Sequence, residues 1–179
     1  MRRFNDSKYQ TMCILGSFNK HYDTIVKTAT YFKERGLIVL APEISAVKSN
    51  NDGYVFLESD KSTNPVIVER EFLKKCIDSD FVYVCNKDGY LGKTVMLELG
   101  YMLGKGQEVY FMEKPIEEKL IMEMTEKSLE RLVASPEQLV EMIEMYNNFS
   151  WLTPGGQDMF DRSFTPKPGF RFPEANKER

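Results

Sequence analysis

The chain has a single histidine, His21, and that scarcity removes several chemistries at once. Metal sites built on two histidines, histidine relays, and Ser-His-Asp or Cys-His nucleophile arrangements find no convincing partner set here. A lone histidine near a helix start reads as a surface or capping residue. Cysteine is sparse as well. Cys13, Cys76 and Cys85 are odd in number and lack metal-ligand spacing, which predicts three buried thiols in a reducing, cytoplasmic compartment and no metal. There is no excess of basic charge: the net charge is −3 and the pI about 5.4. That excludes the clustered Lys and Arg that nucleic-acid polymers or an anionic membrane would require. No apolar run approaches the roughly 20 residues of a membrane span. The first residues, MRRFNDSKYQ, are polar and lack an apolar h-region, so no signal peptide is expected. Internal repeats and low-complexity segments are missing too.

What is present is enough apolar material for one proper core: 42% of the 179 residues are hydrophobic and 12% aromatic. Thr11–Gly16 is a short apolar run ending in Gly and reads as a buried strand. Tyr22–Arg35 carries Ile25, Val26, Ala29 and Phe32 at helical spacing, closed by Gly36. Leu37–Ala41 is a second strand stopped by Pro42. Glu43–Thr63 is polar and reads as a long irregular loop. Pro65–Ser79 predicts a helix with Val66, Phe72, Leu73, Cys76 and Ile77 inward. Phe81–Cys85 is the third strand, Gly92–Gly104 the next helix and Val109–Met112 the fourth strand. A mixed charged helix follows. Ser135-Pro136-Glu137-Gln138 is then a capping box opening a helix with Leu139, Val140, Ile143 and Tyr146 inward. One domain spans 1–150. The segment 151–179, rich in Pro, Gly and aromatic residues, has no core of its own and is expected to lie over the domain or a neighbouring subunit.

Strands alternating with helices predict an α/β, flavodoxin-like, doubly wound parallel sheet of four to five strands, with helices on both faces. Ligands of such sheets bind beyond the carboxyl ends of the strands. Those ends are Gly16-Ser17-Phe18, Pro42-Glu43 and Asn86-Lys87-Asp88-Gly89-Tyr90, three loops that converge on one crevice. Gly92-Lys93-Thr94 after a strand invites a P-loop reading, but the position that needs the first glycine is Lys87. Gly16-Ser17 lacks the GxGxxG of a dinucleotide fingerprint.

Glu98 is the candidate for chemistry. It sits in an apolar helical run among Val95, Met96, Leu97, Leu99, Met102 and Leu103. Carboxylates are rarely buried without a stabilising partner, and an apolar surround pushes a carboxyl pKa toward catalytic use. Glu98 lies roughly 9 Å into its helix, too deep for a first-turn acid that serves the helix dipole. Tyr101, one turn on, offers a hydroxyl to the carboxylate or to a ligand, and Gly100 leaves room for another backbone.

The segment DGYLGKTVMLELGYMLGKGQEVYF, Asp88 to Phe111, resembles the signature of the nucleoside 2-deoxyribosyltransferase-like family. Weaker likenesses extend to Ile14-Leu15-Gly16-Ser17, Ala41-Pro42-Glu43, Cys76–Asp80 and the helix start at Ala134–Glu137, so that roughly residues 11–149 are covered. The resemblance implies cleavage or transfer at the N-glycosidic bond of a nucleoside or nucleotide, with no cofactor. The family's helix glutamate, the nucleophile that forms a covalent glycosyl-enzyme, maps to Glu98, and its acidic loop maps to Asp88, which would protonate the leaving base. Where the family carries a base-holding aspartate, the matching position here is Glu71. Tyr90 and Tyr101 would stack on or hydrogen-bond the substrate, and Ser17 would contact sugar or a 5′-phosphate. Gly16, Phe18, Glu43, Asn86, Gly89 and Gly92 complete the expected lining. The resemblance also implies a homo-oligomer.

Alternatives of other kinds are a nucleoside 5′-monophosphate or NAD-type N-glycoside hydrolase using the same Glu98, and a non-catalytic nucleotide-binding regulatory module. A cytokinin-type phosphoribohydrolase is disfavoured, because its double-glycine loop is missing before Thr94.

Overall fold

The computed structural model describes residues 9–51, 54–117 and 132–149. The expected charged helix falls mostly outside these residues, and the 151–179 tail wholly so. In chain order the elements are β1 (Thr11–Gly16), α1 (Phe18–Glu34), β2 (Ile38–Ala41), β3 (Val47–Asn51), β4 (Tyr54–Leu57), α2 (Pro65–Asp78), β5 (Phe81–Cys85), α3 (Lys93–Gly104), β6 (Val109–Phe111) and α4 (Pro136–Phe149).

Four strands form one parallel sheet in the order β2-β1-β5-β6, the flavodoxin-like order with β1 and β5 at its centre. An isolated parallel bridge from Phe111 to Val133 extends the sheet where a fifth strand would stand. Side chains alternate along each strand, and the two faces bury different sets. Met12 and Ile14 of β1 join Phe81 and Tyr83 of β5 beneath α1 and α4, where Ile25, Ala29, Phe32, Leu139 and Ile143 close the core. Cys13 and Leu15 join Val82 and Val84 on the opposite face, with Cys76 of α2 and Val95, Leu99 and Met102 of α3. All five residues of β5 are buried, which is why this central strand reads as a continuous apolar run. Each such Val or Phe contributes roughly 1.5–3 kcal/mol through burial. All three cysteines are buried free thiols.

Polar side chains tie the sheet's edges. Asp80 accepts from the Gln10 and Thr11 backbone N–H groups at 3.0 and 2.8 Å, holding β1 level with β5. The box at Ser135 forms: Gln138 N–H donates to Ser135 Oγ, and the Gln138 side chain accepts from the Ser135 N–H. Leu139, Val140 and Ile143 are buried as their spacing predicts; the Tyr146 side chain lies outside the described residues.

Four expectations are corrected. Helix α1 begins at Phe18 rather than Tyr22, because Ser17 takes the extended N-cap geometry directly after β1. A kink at His21 (φ −131°, ψ 28°) separates that first turn from the periodic stripe, so periodicity alone starts the helix late. The supposed irregular loop 43–63 contains the antiparallel β3–β4 hairpin, with Asn51 paired to Tyr54. Asn51-Asp52-Gly53 carried the turn signature for it. Val66 is 63% exposed rather than inward. At Gly100 a side-chain carbon would meet nothing within 4 Å among the described residues, so no backbone approaches there. No helix among the described residues is long and apolar enough to cross a membrane.

Candidate functional site

The turns after β1 and β5 meet at the point where the strand order reverses. A carbon added at Gly92 would lie 3.8 Å from the Tyr90 hydroxyl and 3.9 Å from Ser17 Oγ, so Ser17, Tyr90 and Gly92 stand side by side where the two turns meet. Ser17 and Gly92 are the N-caps of α1 and α3, and neither helix receives a side-chain capping bond. Lys20 sets its ammonium 3.6 Å from the centre of the Tyr90 ring, and the His21 ring meets Tyr90 edge-on at 5.9 Å. His21 is therefore more than a surface cap. Burial, then Lys20, holds its pKa below the usual value. Phe18 packs on the α1 side of the core, tilted against Tyr22.

Asn86 and Gly89 serve the loop itself. The Asn86 side chain donates to the Glu113 carbonyl at 2.7 Å and accepts from the Glu113 N–H at 3.1 Å, joining the ends of β5 and β6. Gly89 adopts φ +70°, and a carbon there would come within 2.5 Å of the Lys114 carbonyl oxygen. Only glycine fits. Gly89→Ala is expected to cost about 2–4 kcal/mol from backbone strain and overpacking. Gly100→Ala, in open helical space, should gain about 0.5–1 kcal/mol. Thermal melts of the two variants beside wild type check both signs, and an unchanged melt for Gly89→Ala would refute the clash.

Glu98 is buried, with 8% of its surface exposed. The reason is periodic: Val95, Glu98, Leu99 and Met102 form the buried stripe of α3. Its partner is neither Asp88 nor Tyr101 but Glu69 of α2, whose carboxyl hydrogen-bonds to it. Burial first, and then the Glu69 charge, push Glu98 up to about 8. Burial likewise raises Glu69. At neutral pH Glu98 therefore keeps its proton beside Glu69. Glu69 was missed in the sequence, although a signal existed. With Phe72, Leu73 and Cys76 it completes the inward stripe of α2, at the same spacing that marks Glu98.

Asp88, expected to face Glu98, is exposed in a left-handed conformation (φ 58°), and its charge acts on His21 across the crevice. Glu71 points outward from α2 and is exposed, as is Glu43, whose carbonyl accepts from Ser59 Oγ. Tyr101 is 44% exposed on the outer side of α3. It lines an open groove of about 520 Å³ along α2, together with Leu73, Arg70, Lys74 and Glu69. Glu69 therefore joins this groove to the buried pair. Behind the pair, Cys76 hydrogen-bonds Cys13 of β1. That contact and burial raise its thiol far above the ordinary range, so it stays neutral. Above it, Tyr54 of the hairpin donates to the Pro65 carbonyl at 3.4 Å. Burial, then the charges of Glu69, Asp60 and Glu98, push its phenol up to about 12.

Fold and site define an α/β flavodoxin-like domain with a buried glutamate, Glu98, that meets Glu69 between two helices of one face. No family model, no curated protein and no solved structure matches the chain.

Proposed function

We propose that the protein cleaves or exchanges the N-glycosidic bond of a nucleoside or nucleotide, with Glu98 as nucleophile. The single observation that carries this reading is a carboxyl, Glu98, buried on the inward stripe of α3, with the Glu69 carboxyl of α2 as its neighbour. Such a pair can supply an ionised nucleophile and a proton donor in one place. The resemblance of Asp88–Phe111 to the deoxyribosyltransferase-like signature adds to it.

In the proposed reaction the proton that Glu98 keeps in the free protein first passes to Glu69, and the freed Glu98 carboxylate oxygen then bonds the anomeric carbon as the bond to the base nitrogen breaks. The leaving nitrogen takes the electron pair and receives its proton from Glu69. The resulting glycosyl ester of Glu98 is opened by a second base or by water, whose proton returns to Glu69. Retaining glycosidases hold their two carboxyls roughly 5 Å apart with the substrate between them, so in this scheme substrate must part the Glu98–Glu69 pair. In this scheme Glu69 takes the part that the loop aspartate was expected to play.

A hydrolase of 5′-monophosphates or of NAD-type substrates is the second reading. Two helix N-termini without side-chain caps, beside Ser17 Oγ and the Lys20 ammonium, favour a phosphate-bearing substrate. The test is chromatographic detection of free base from deoxyribonucleosides, ribonucleosides, their 5′-monophosphates and NAD, with and without a second base, for wild type and Glu98→Ala. Release by wild type alone is the expected result. New nucleoside formed only with an added acceptor base identifies a transferase, and release without exchange a hydrolase. No release from any substrate would overturn the enzymatic reading and leave a nucleotide-binding module. The homo-oligomer belongs to the same proposal, and sedimentation of the full chain tests it.

A further inference from the structure

A surface helix normally turns polar side chains to water, and the outer sides of α2 and α3 depart from that rule. Leu97 of α3 is 77% exposed, more than any other large apolar side chain among the described residues. Tyr101 follows it by one turn on the same side of α3 and is 44% exposed. Across the groove, Val66 of α2 is 63% exposed, and Leu73 and Ile77 continue the apolar lining. An apolar face of this kind marks a docking surface. Its charges say what docks. Along the groove side of α2 stand Arg70, then Leu73 and Ile77, then Asp78. A cation and an anion therefore flank an apolar centre, eight residues or about 12 Å apart. Such a face is complementary to itself. An antiparallel copy turned about a two-fold axis sets Arg70 of each chain opposite Asp78 of the other, and lays apolar centre on apolar centre. Lys74, midway, then lies one turn from Asp78 of either copy, with a stem long enough to carry its ammonium outward. A foreign partner would impose no such symmetry on one helix, so the occupant that fits is a second copy of this chain.

We propose that the outer face of α2 and α3 is a two-fold interface between copies of this chain, with Leu97 and Tyr101 as apolar anchors and Arg70–Asp78 pairs at its rim. The inference gives a surface to the homo-oligomer proposed above and rests on that part of the reading alone. The chemistry of Glu98 does not enter it.

The test is sedimentation of the full chain across the micromolar range, with circular dichroism to confirm that each variant is folded. Wild type should sediment as twice the 20.8 kDa of one chain, or an even multiple of it. Leu97→Lys keeps a helix-forming residue at an exposed position and should weaken association on the order of tenfold or more. Ile38→Lys, at an apolar residue 53% exposed on β2, is the comparison and should behave as wild type. Arg70→Asp and Asp78→Arg each set like charges opposite one another and should each weaken association by roughly threefold to tenfold. The double variant exchanges the partners and should recover to within about threefold of wild type. A wild type that stays monomeric would overturn the proposal, as would an assembly that Leu97→Lys leaves intact or a double variant no better than the single ones. Base release by the same proteins keeps the two readings apart. Association without base release from any substrate leaves the interface and removes the glycosidic function, whereas base release from a monomeric wild type removes the interface alone.

Discussion

Glu98→Gln is expected to abolish base release and, at pH 8, to make the protein more stable. The two effects have one cause. A buried carboxyl held up at about 8 beside Glu69 stays protonated in the folded chain, where the unfolded chain would already have ionised. The folded state then binds more protons than the unfolded state between the ordinary value of 4.5 and about 8, so stability falls as pH rises through that window. Gln keeps the shape, donates a hydrogen bond to Glu69 and carries no charge at any pH. At pH 8 the gain should be roughly 2–4 kcal/mol, or a melting temperature higher by roughly 5–10 °C for a domain of this size. At about pH 3.5 and below the difference should vanish, because the Glu98 carboxyl is then protonated in both states. Base release should drop on the order of 10³-fold or more, because an amide cannot form the glycosyl ester. Equal melting shifts at the two pH values would refute the elevated Glu98 carboxyl, and retained activity would refute Glu98 as nucleophile.

Glu69→Gln should separate the two glutamates by their roles. Removing the Glu69 charge takes away the second cause of the Glu98 shift and leaves burial, the larger one, in place. Glu98 should therefore titrate lower than in wild type and still above an ordinary carboxyl. The wild-type rate profile needs a singly protonated pair, so its alkaline limb should lie near 8. In Glu69→Gln the nucleophile ionises earlier while the proton donor is lost. Natural bases, which need that proton, should be released on the order of 10²-fold more slowly. A nitrophenyl glycoside, whose leaving group departs without help, should be nearly spared by Glu69→Gln and fully lost in Glu98→Gln. Asp88→Asn is the comparison: if it, and not Glu69→Gln, shows this dependence on the leaving group, the proton comes from the loop aspartate after all.

Much of the architecture was legible because burial imposes a period on the chain. Continuous apolar runs at Thr11–Gly16 and Phe81–Cys85 mark strands covered on both faces, and both lie where the runs place them. The same logic singled out Glu98, a charge at a position that the spacing of Val95, Leu99 and Met102 turns inward. Where periodicity was interrupted, the reading slipped. The His21 kink hid the first turn of α1, and the polar run of β3 hid a hairpin whose second strand, Tyr54–Leu57, is apolar.

The sequence by itself determined the strands and helices of the parallel sheet and the apolar stripe of α3 in which Glu98 stands. Only the tertiary structure decided what Glu98 meets there. Periodicity records that a side chain leaves water, but the neighbour it finds comes from another element at a register set by helix packing. Glu69 reaches the site on α2, whereas Asp88, close to Glu98 in sequence, turns outward at the end of β5. The elevated Glu98 carboxyl follows from that meeting, because burial and a like charge act only across the space that the fold closes.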